Sequence, residues 1–83
     1  MQLLDAVIVG RVIQQFREER GVSQEVMSGL AGIGRTHLSA IERGERRPTM
    51  DTFFKICEAM NVCPSTVMAK IEEELKDNES GKG

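Results

Sequence analysis

The sequence predicts an all-α protein made of one domain. Apolar residues recur at spacings of three and four along most of the 83 residues, which is the periodicity of one helix face. Glycine or proline interrupts this pattern at short intervals, and no stretch alternates between apolar and polar residues as a half-buried strand would. A chain of this length allows one domain. We expect it to cover residues 1–76, followed by a flexible tail over residues 77–83 that has no apolar anchor.

The first two predicted helices cover residues 6–20 and 24–31. In the first, apolar residues follow the i, i+3, i+4, i+7 pattern, and Gly21 ends the run. The second follows Ser23, whose hydroxyl can accept a backbone N–H of the first helical turn. The apolar positions predicted to face inward are Val9, Val12, Ile13 and Phe16 in the first helix and Val26, Met27 and Leu30 in the second.

The third predicted helix covers residues 35–43. It follows a tight turn in which two glycines flank Ile33, an apolar residue that would anchor the turn in the core. Leu38 and Ile41 point inward at i and i+3. Gly44 stands where a left-handed C-cap would end the helix.

The last two predicted helices cover residues 50–60 and 64–76. Thr49 can cap the fourth helix, and Pro64 suits the first position of the fifth because proline lacks the N–H that this position leaves unpaired. The apolar stripes are Phe53, Phe54, Cys57 and Met60 in the fourth helix and Val67, Met68, Ile71 and Leu75 in the fifth.

Composition excludes several classes of function. Three Phe with no Trp or Tyr argue against an aromatic platform for single-stranded nucleic acid, and no apolar run approaches the roughly 20 residues of a membrane span.

Cys57 and Cys63 do not have the spacing of a redox pair, so we expect two reduced, mostly buried thiols in a cytoplasmic protein without a signal peptide. With His37 as the one histidine, we expect no metal site and no cofactor.

Positive charge is concentrated in the first part of the chain, although the net charge is −2. All seven Arg lie within residues 1–47, which carry +1, whereas residues 48–83 carry −3. Between Arg35 and Arg47 there are four Arg and only two Glu. Binding to a polyanion depends on the local charge of one face and not on the total.

The segment from residue 23 to residue 48 has the spacing of a helix-turn-helix, because two short helices are joined by a glycine-containing turn. The second helix of this motif enters a DNA major groove about 12 Å wide. Its outer face must therefore avoid large apolar residues and offer hydrogen-bonding ones. Arg35, Thr36 and Ser39 meet this requirement.

Residues 10–75 resemble the helix-turn-helix regulators of the lambda-repressor/Cro type, also called xenobiotic-response-element-type regulators. The matching motifs are GRVI at 10–13, FREERGVSQ at 16–24, LSAIERG at 38–44, proline at 48 and KICEAM at 55–60. Within that family the chain is most similar to the controller proteins of restriction–modification systems. That narrower resemblance depends on the short length, GRTHLS at 34–39 and KIEEE at 70–74.

The resemblance implies a five-helix lambda-repressor-like fold and a role for each matching residue. Arg17 and Glu42 would form an internal ion pair between the first and third helices. Gly34 replaces the Ser or Thr that usually caps the recognition helix in this family. The implied base contacts are Arg35, Thr36, Ser39 and Ala40. The implied phosphate contacts are Gln24, His37, Arg43, Arg46 and Arg47.

The fifth helix would pair with its copy in a homodimer. The implied interface residues are Val67, Met68, Ile71 and Leu75. Val67, Ile71 and Leu75 could instead be ordinary core, and Met68 core filler. Arg35, Arg46 and Arg47 could be a solvated face, and Gln24 an ordinary surface residue.

The function expected from these features is a sequence-specific regulator that binds double-stranded DNA as a homodimer on a palindromic operator, as a restriction–modification controller would. The alternative is an antitoxin-like or adaptor protein-interaction module with the same fold. An enzyme is not expected, because one His, no Tyr and no clustered carboxylates leave no nucleophile–base pair to nominate. No small-molecule effector is expected either.

Overall fold

The computed structural model describes residues 4–80, and these form five helices with no strand. The predicted all-α class is confirmed. The helices are α1 (Ala6–Glu19), α2 (Gln24–Ala31), α3 (Arg35–Glu42), α4 (Met50–Ala59) and α5 (Pro64–Ser80). Four of them end within one residue of the predicted position. No helix among the described residues combines the length and the apolar character that crossing a membrane requires.

The fifth helix is the exception, since α5 continues to Ser80, four residues beyond its predicted end. The predicted tail therefore begins inside a helix, and residues 81–83 of it lie outside the described residues. The predicted end of α5 lies where the apolar anchors of the helix stop. Propagation of an existing helix does not need such anchors, because each added residue gains one backbone bond. Lys70 also reaches Glu73 and Glu74 at 3.2 and 3.4 Å, a spacing that supports helices.

Local capping explains where several helices begin. The hydroxyls of Ser23 and Thr49 each accept a backbone N–H at 3.1 Å, as predicted. The carboxylate of Asp5 accepts the N–H groups of Val7 and Ile8 at the start of α1. Gly34 occupies the capping position before α3 and has no side chain, so the capping bond that a Ser or Thr would supply there is missing.

Every helix contributes a side chain to one shared core. The fully buried residues include Ile13, Met27, Leu38, Ile41, Ile56 and Ile71. Three residues predicted to face inward are instead exposed: Val26 is 54%, Leu30 65% and Phe54 52% exposed. On α2 the inward face is formed by Met27, Ser28 and Ala31, so Val26 and Leu30 turn to solvent.

The stripe predicted as a dimer surface on α5 is divided between two environments. Val67 and Ile71 are 0% and 1% exposed within a single chain, because α5 packs on both α1 and α4. Their assignment to a dimer interface is therefore corrected to core. Met68 and Leu75 are only partly buried and remain at the margin of the core.

The two cysteines also differ in environment. Cys57 is fully buried, and burial raises the pKa of its thiol to about 11 because a thiolate is poorly solvated there. Cys63 is exposed, which corrects the expectation that both are mostly buried. It precedes Pro64 at the start of α5, and its carbonyl accepts the N–H of Thr66 at 2.9 Å.

Close backbone packing places α3 directly on α1. A Cβ added at Gly10 would lie 2.6 Å from the carbonyl oxygen of Glu42 and would also strike that of Ile41. Gly44 ends α3 in the left-handed region at φ +80°, where a Cβ would meet Val7 at 2.7 Å. Only glycine allows both approaches. The C-terminal end of α3 is thus held against the body of the protein, and its opposite face points away from it.

Candidate DNA-binding surface

The turn between α2 and α3 sets the direction of the candidate recognition helix. Gly32 ends α2 in the left-handed region at φ 71°, and the next N–H, that of Ile33, donates to the Ser28 carbonyl at 3.0 Å. This pair of features is a common helix C-cap. Ile33 packs against the core as predicted, so the turn is anchored before α3 begins at Arg35.

The outer face of α3 is polar and accessible. Arg35, Thr36 and His37 are exposed, and Ser39 and Ala40 are half-buried, while the opposite stripe of the helix is in the core. A cleft of about 180 Å³ runs between α2 and α3. It is lined by Gln24, Arg35, Thr36, Ser39 and Arg43. The structure therefore brings together three of the predicted base contacts and two of the predicted phosphate contacts.

The predicted internal ion pair is present at the base of this surface. Arg17 Nε lies 2.7 Å from Glu42 Oε2, and its Nη2 lies 3.0 Å from Oε1, so the pair is bidentate. Arg17 also donates to the carbonyl of Val22 at 2.7 Å. The hydrogen bond to Glu42 raises the pKa of Arg17, against the opposing effect of burial. Because both side chains are buried, the pair ties α1 to the last residue of α3.

Gln24 belongs to the same network, a contact that no sequence motif predicts. Its Nε2 donates to Glu42 Oε1 at 2.9 Å, so the Glu42 carboxylate accepts three bonds from two residues. The side chain is half-buried and also lines the α2–α3 cleft. The hydrogen bond to the buried Glu42 thus fixes the direction of the Gln24 amide, while part of the side chain is exposed to solvent. The sequence gives one indication of this contact: polar residues, Gln24 and Glu42, stand at the first position of α2 and the last position of α3.

At the C-terminal end of α3, Arg43 is held by two neighbours. Its Nε and Nη2 donate to the Glu45 carboxylate at 3.0 and 2.9 Å, and its Nη1 donates to Ser39 Oγ. The hydrogen bonds between Arg43 and Glu45 raise the pKa of Arg43 and lower that of Glu45. None of the sequence motifs gives Glu45 a role. Its place two residues after Arg43 was the only available signal.

Two further arginines follow in the loop before α4. Arg46 and Arg47 are exposed, and the Arg47 guanidinium donates to the carbonyl of Leu4 at 3.2 Å. Since Glu42 is buried and paired with Arg17, Glu45 is the exposed carboxylate between Arg35 and Arg47. The surface around α3 therefore has a positive local charge within an acidic protein.

Comparison with known proteins identifies the family. Residues 13–67 match the family model described as helix-turn-helix. The HTH-type transcriptional regulator y4dJ of Sinorhizobium fredii is 30% identical over 66 residues, which are 80% of this chain and 86% of that protein. The control protein C.BamHI of Bacillus amyloliquefaciens is 32% identical over 63 residues, 75% of this chain and 78% of that protein.

A solved structure agrees with these relatives. The restriction–modification controller protein C.AhdI from Aeromonas hydrophila matches with a TM-score of 0.75 and 28% identity over 78% of this chain and 98% of that chain. The resemblance drawn from the sequence motifs is thereby confirmed. The chain belongs to the helix-turn-helix family of transcriptional regulators.

Proposed function

We propose that the protein regulates transcription by binding double-stranded DNA sequence-specifically, as a homodimer on a palindromic operator. One observation carries this proposal: the exposed face of α3 is polar and flanked by arginines, while its other face is held to the body by the buried Arg17–Glu42 pair. A rigidly mounted helix with a hydrogen-bonding face is what reading of base edges in the major groove requires.

The proposed base contacts lie on the first two turns of α3. Arg35 is at the exposed N-terminal end of the helix, where a guanidinium can bond the O6 and N7 of guanine together. Thr36 and Ser39 can bond base edges, and Ala40 is small enough to contact a thymine methyl. Of these residues, only Ala40 lies outside the lining of the α2–α3 cleft.

Phosphate contacts would supply much of the affinity without selecting a sequence. Their proposed residues are Gln24, His37, Arg43, Arg46 and Arg47. Gln24 starts α2, where the partial positive charge of a helix N-terminus adds to its amide. His37 is exposed on α3, and the two loop arginines follow the helix. Binding should therefore weaken steeply as salt increases.

The proposed dimer surface is smaller on α5 than the sequence indicated, because it retains only Met68 and Leu75 from that helix. Beside Met68 lies a mostly apolar groove of about 120 Å³, lined in part by Leu4, Met50 and Phe53. Leu4 and Met50 are 47% and 68% exposed, so a second copy could cover them. Two copies would place their recognition helices in successive major grooves about 34 Å apart.

The proposal extends to the biological setting. Because C.BamHI and C.AhdI are a control protein and a restriction–modification controller, we assign this chain a controller role. It would act in the cytoplasm, where the DNA of such a system lies, without catalysis, cofactor or small-molecule effector. Methyltransferase and endonuclease genes next to its own gene would support this setting, and their absence would contradict it.

Selection from randomised duplexes with the full chain tests the DNA-binding function. We expect enrichment of a two-fold symmetric sequence whose half-sites are about 10 base pairs apart, centre to centre. Analytical ultracentrifugation of the bound complex should give two chains per duplex. Failure to enrich any sequence at low salt would contradict the proposal and would favour a protein-interaction module.

A further inference from the structure

Glu45 is an acidic side chain in the middle of a surface that the proposed function requires to be positive. Its carboxylate holds Arg43 through two bonds, at 3.0 and 2.9 Å, and the third guanidinium nitrogen donates to Ser39. Arg43 is thereby clamped between the Glu45 carboxylate and the hydroxyl of Ser39, a residue that lines the α2–α3 cleft. Neither the family assignment nor the proposed contacts give Glu45 a function.

The backbone fixes the position of Glu45. Its N–H donates to the carbonyl of Ala40 at 2.9 Å, and the N–H of Gly44 donates to that of Ile41 at 3.0 Å. These bonds close the end of α3 around Gly44, which has φ +80° and lies against Val7. The carboxylate therefore extends from an ordered helix cap, and its contact with Arg43 is part of how α3 ends.

The arrangement that holds Arg43 between Glu45 and Ser39, called the clamp below, restricts the Ser39 hydroxyl. A serine hydroxyl has one hydrogen to donate and two lone pairs to accept. The Arg43 N–H occupies one lone pair, and its positive charge repels the hydroxyl hydrogen, which turns away from the guanidinium. One lone pair remains free, but with its hydrogen directed away from the guanidinium Ser39 would meet a base edge chiefly as a donor. The complementary groups in the major groove are guanine O6 and N7, adenine N7 and thymine O4, whereas the amino groups of adenine and cytosine are donors.

The clamp also affects the charge that phosphates meet. Three of the five guanidinium N–H groups of Arg43 are in use, so the remaining two can still reach a phosphate. The adjacent carboxylate offsets the positive charge, however, and itself repels phosphates. Sequence-independent binding depends almost wholly on such charges, so Glu45 should weaken it.

We propose that Glu45 is a specificity-determining residue of the DNA-binding surface, which holds Arg43 against Ser39 so that Ser39 donates to one base edge while non-specific attraction to phosphates is reduced. This inference rests on the proposed DNA-binding function. Glu45 acts through Arg43 and Ser39 and is thus a positioning residue, not a base contact.

The test compares four proteins in selection from randomised duplexes: wild type, Glu45→Gln, Ser39→Ala and the double variant. At the position facing Ser39, wild type should prefer a base that offers an acceptor in the major groove (guanine, thymine, or adenine through N7) over cytosine. The preference should be about three- to tenfold, the range expected of one hydrogen bond. Glu45→Gln should flatten that preference, and Ser39→Ala should abolish it. The double variant should be no flatter than Ser39→Ala alone, because Glu45 acts through Ser39.

Non-specific binding supplies a second measurement. Glu45→Gln should raise affinity for unrelated DNA severalfold and steepen the salt dependence by up to about 0.9 in log–log slope, as one more effective cation would. Glu73→Gln is the matched control, since Glu73 also pairs with a cation, Lys70 at 3.2 Å, but lies on α5. It changes net charge equally and should leave the base profile unchanged.

The outcomes separate the inference from the function on which it rests. If wild type selects a site and Glu45→Gln keeps the same base profile, the role of Glu45 is overturned and the DNA-binding function stands. Equal gains in non-specific affinity from Glu45→Gln and Glu73→Gln, with no change of profile, would overturn it as well. If wild type selects no sequence, both fail together.

Discussion

Two arginine–glutamate pairs near the end of α3 have almost the same bonds and opposite environments. The Arg17–Glu42 pair has side chains that are 10% and 2% exposed, whereas those of Arg43 and Glu45 are 53% and 59% exposed. Both pairs are bidentate. Burial therefore decides the role: a buried pair cannot lose one member without leaving a charge in the core, whereas water replaces either member of an exposed pair.

The largest expected effect comes from breaking the buried pair. Arg17→Met leaves the Glu42 carboxylate buried with only Gln24 as partner, so we expect a loss of about 3–5 kcal/mol in the free energy of unfolding. Urea denaturation followed by circular dichroism measures this loss. The double variant Arg17→Met/Glu42→Met should recover much of it, because no buried charge remains.

The matched control in the exposed pair is Arg43→Met, which should leave the urea midpoint unchanged within error. An equal shift in Arg17→Met and Arg43→Met would break the comparison, since burial would then not distinguish the two pairs.

The backbone contact beside the buried pair supplies the next test. Gly10→Ala should lose about 1–3 kcal/mol of stability, because its Cβ would strike the last carbonyls of α3. Gly29→Ala is the matched helical control, and nothing lies within 4 Å of its Cβ. There the substitution should stabilise by roughly 0.5–1 kcal/mol, as expected for an exposed helical glycine. Thermal unfolding of both variants measures whether each substitution lowers or raises the stability of the protein.

On the exposed side, substitutions should change binding and leave folding intact. Arg35→Ala should lose about 1–3 kcal/mol of discrimination at one base pair per half-site. Arg46→Ala should instead weaken all sequences alike and reduce the salt slope by about 1. Quantitative binding to a panel of single-base operator variants at several salt concentrations separates the two. The same base profile and slope for both variants would contradict this division of roles.

The smallest expected effect is the pH dependence of the exposed pair. The hydrogen bonds from Arg43 lower the pKa of Glu45 in the folded state, so any stability from this pair is present above the ordinary glutamate pKa. It is lost as the pH falls through the lowered folded value. Carboxyl-carbon NMR titration measures this pKa directly. Arg43→Met should raise it towards its ordinary value, and Arg46→Met should leave it where it is in wild type.

Helix positions could be predicted because their signals are local. Ser23 and Thr49 cap helices through bonds to residues three positions away, and Gly44 follows α3 in the left-handed conformation that favours glycine at a helix end. The end of α5 could not be predicted from apolar anchors, since residues 77–80 continue the helix by backbone bonding.

Candidate site residues were predictable where a motif carried them. Arg17 and Glu42 are 25 residues apart, and only their resemblance to the family pattern indicated that they would meet. No motif indicated that Gln24 would join them or that Arg43 would be held between Glu45 and Ser39. Such contacts depend on side-chain rotamers at helix ends, which spacing along the chain does not specify.

Local sequence was sufficient for the five helices apart from the end of α5, for the glycine turn before α3 and for the polar character of its outer face, since each follows from neighbours within one or two turns. Tertiary packing settled which faces are covered. It buried Val67 and Ile71 under α1 and α4, left Val26 and Leu30 in solvent, and placed one arginine–glutamate pair in the core and the other outside. Periodicity defines a helix face, but the neighbour that covers it comes from distant parts of the chain, and burial determines what each charge contributes.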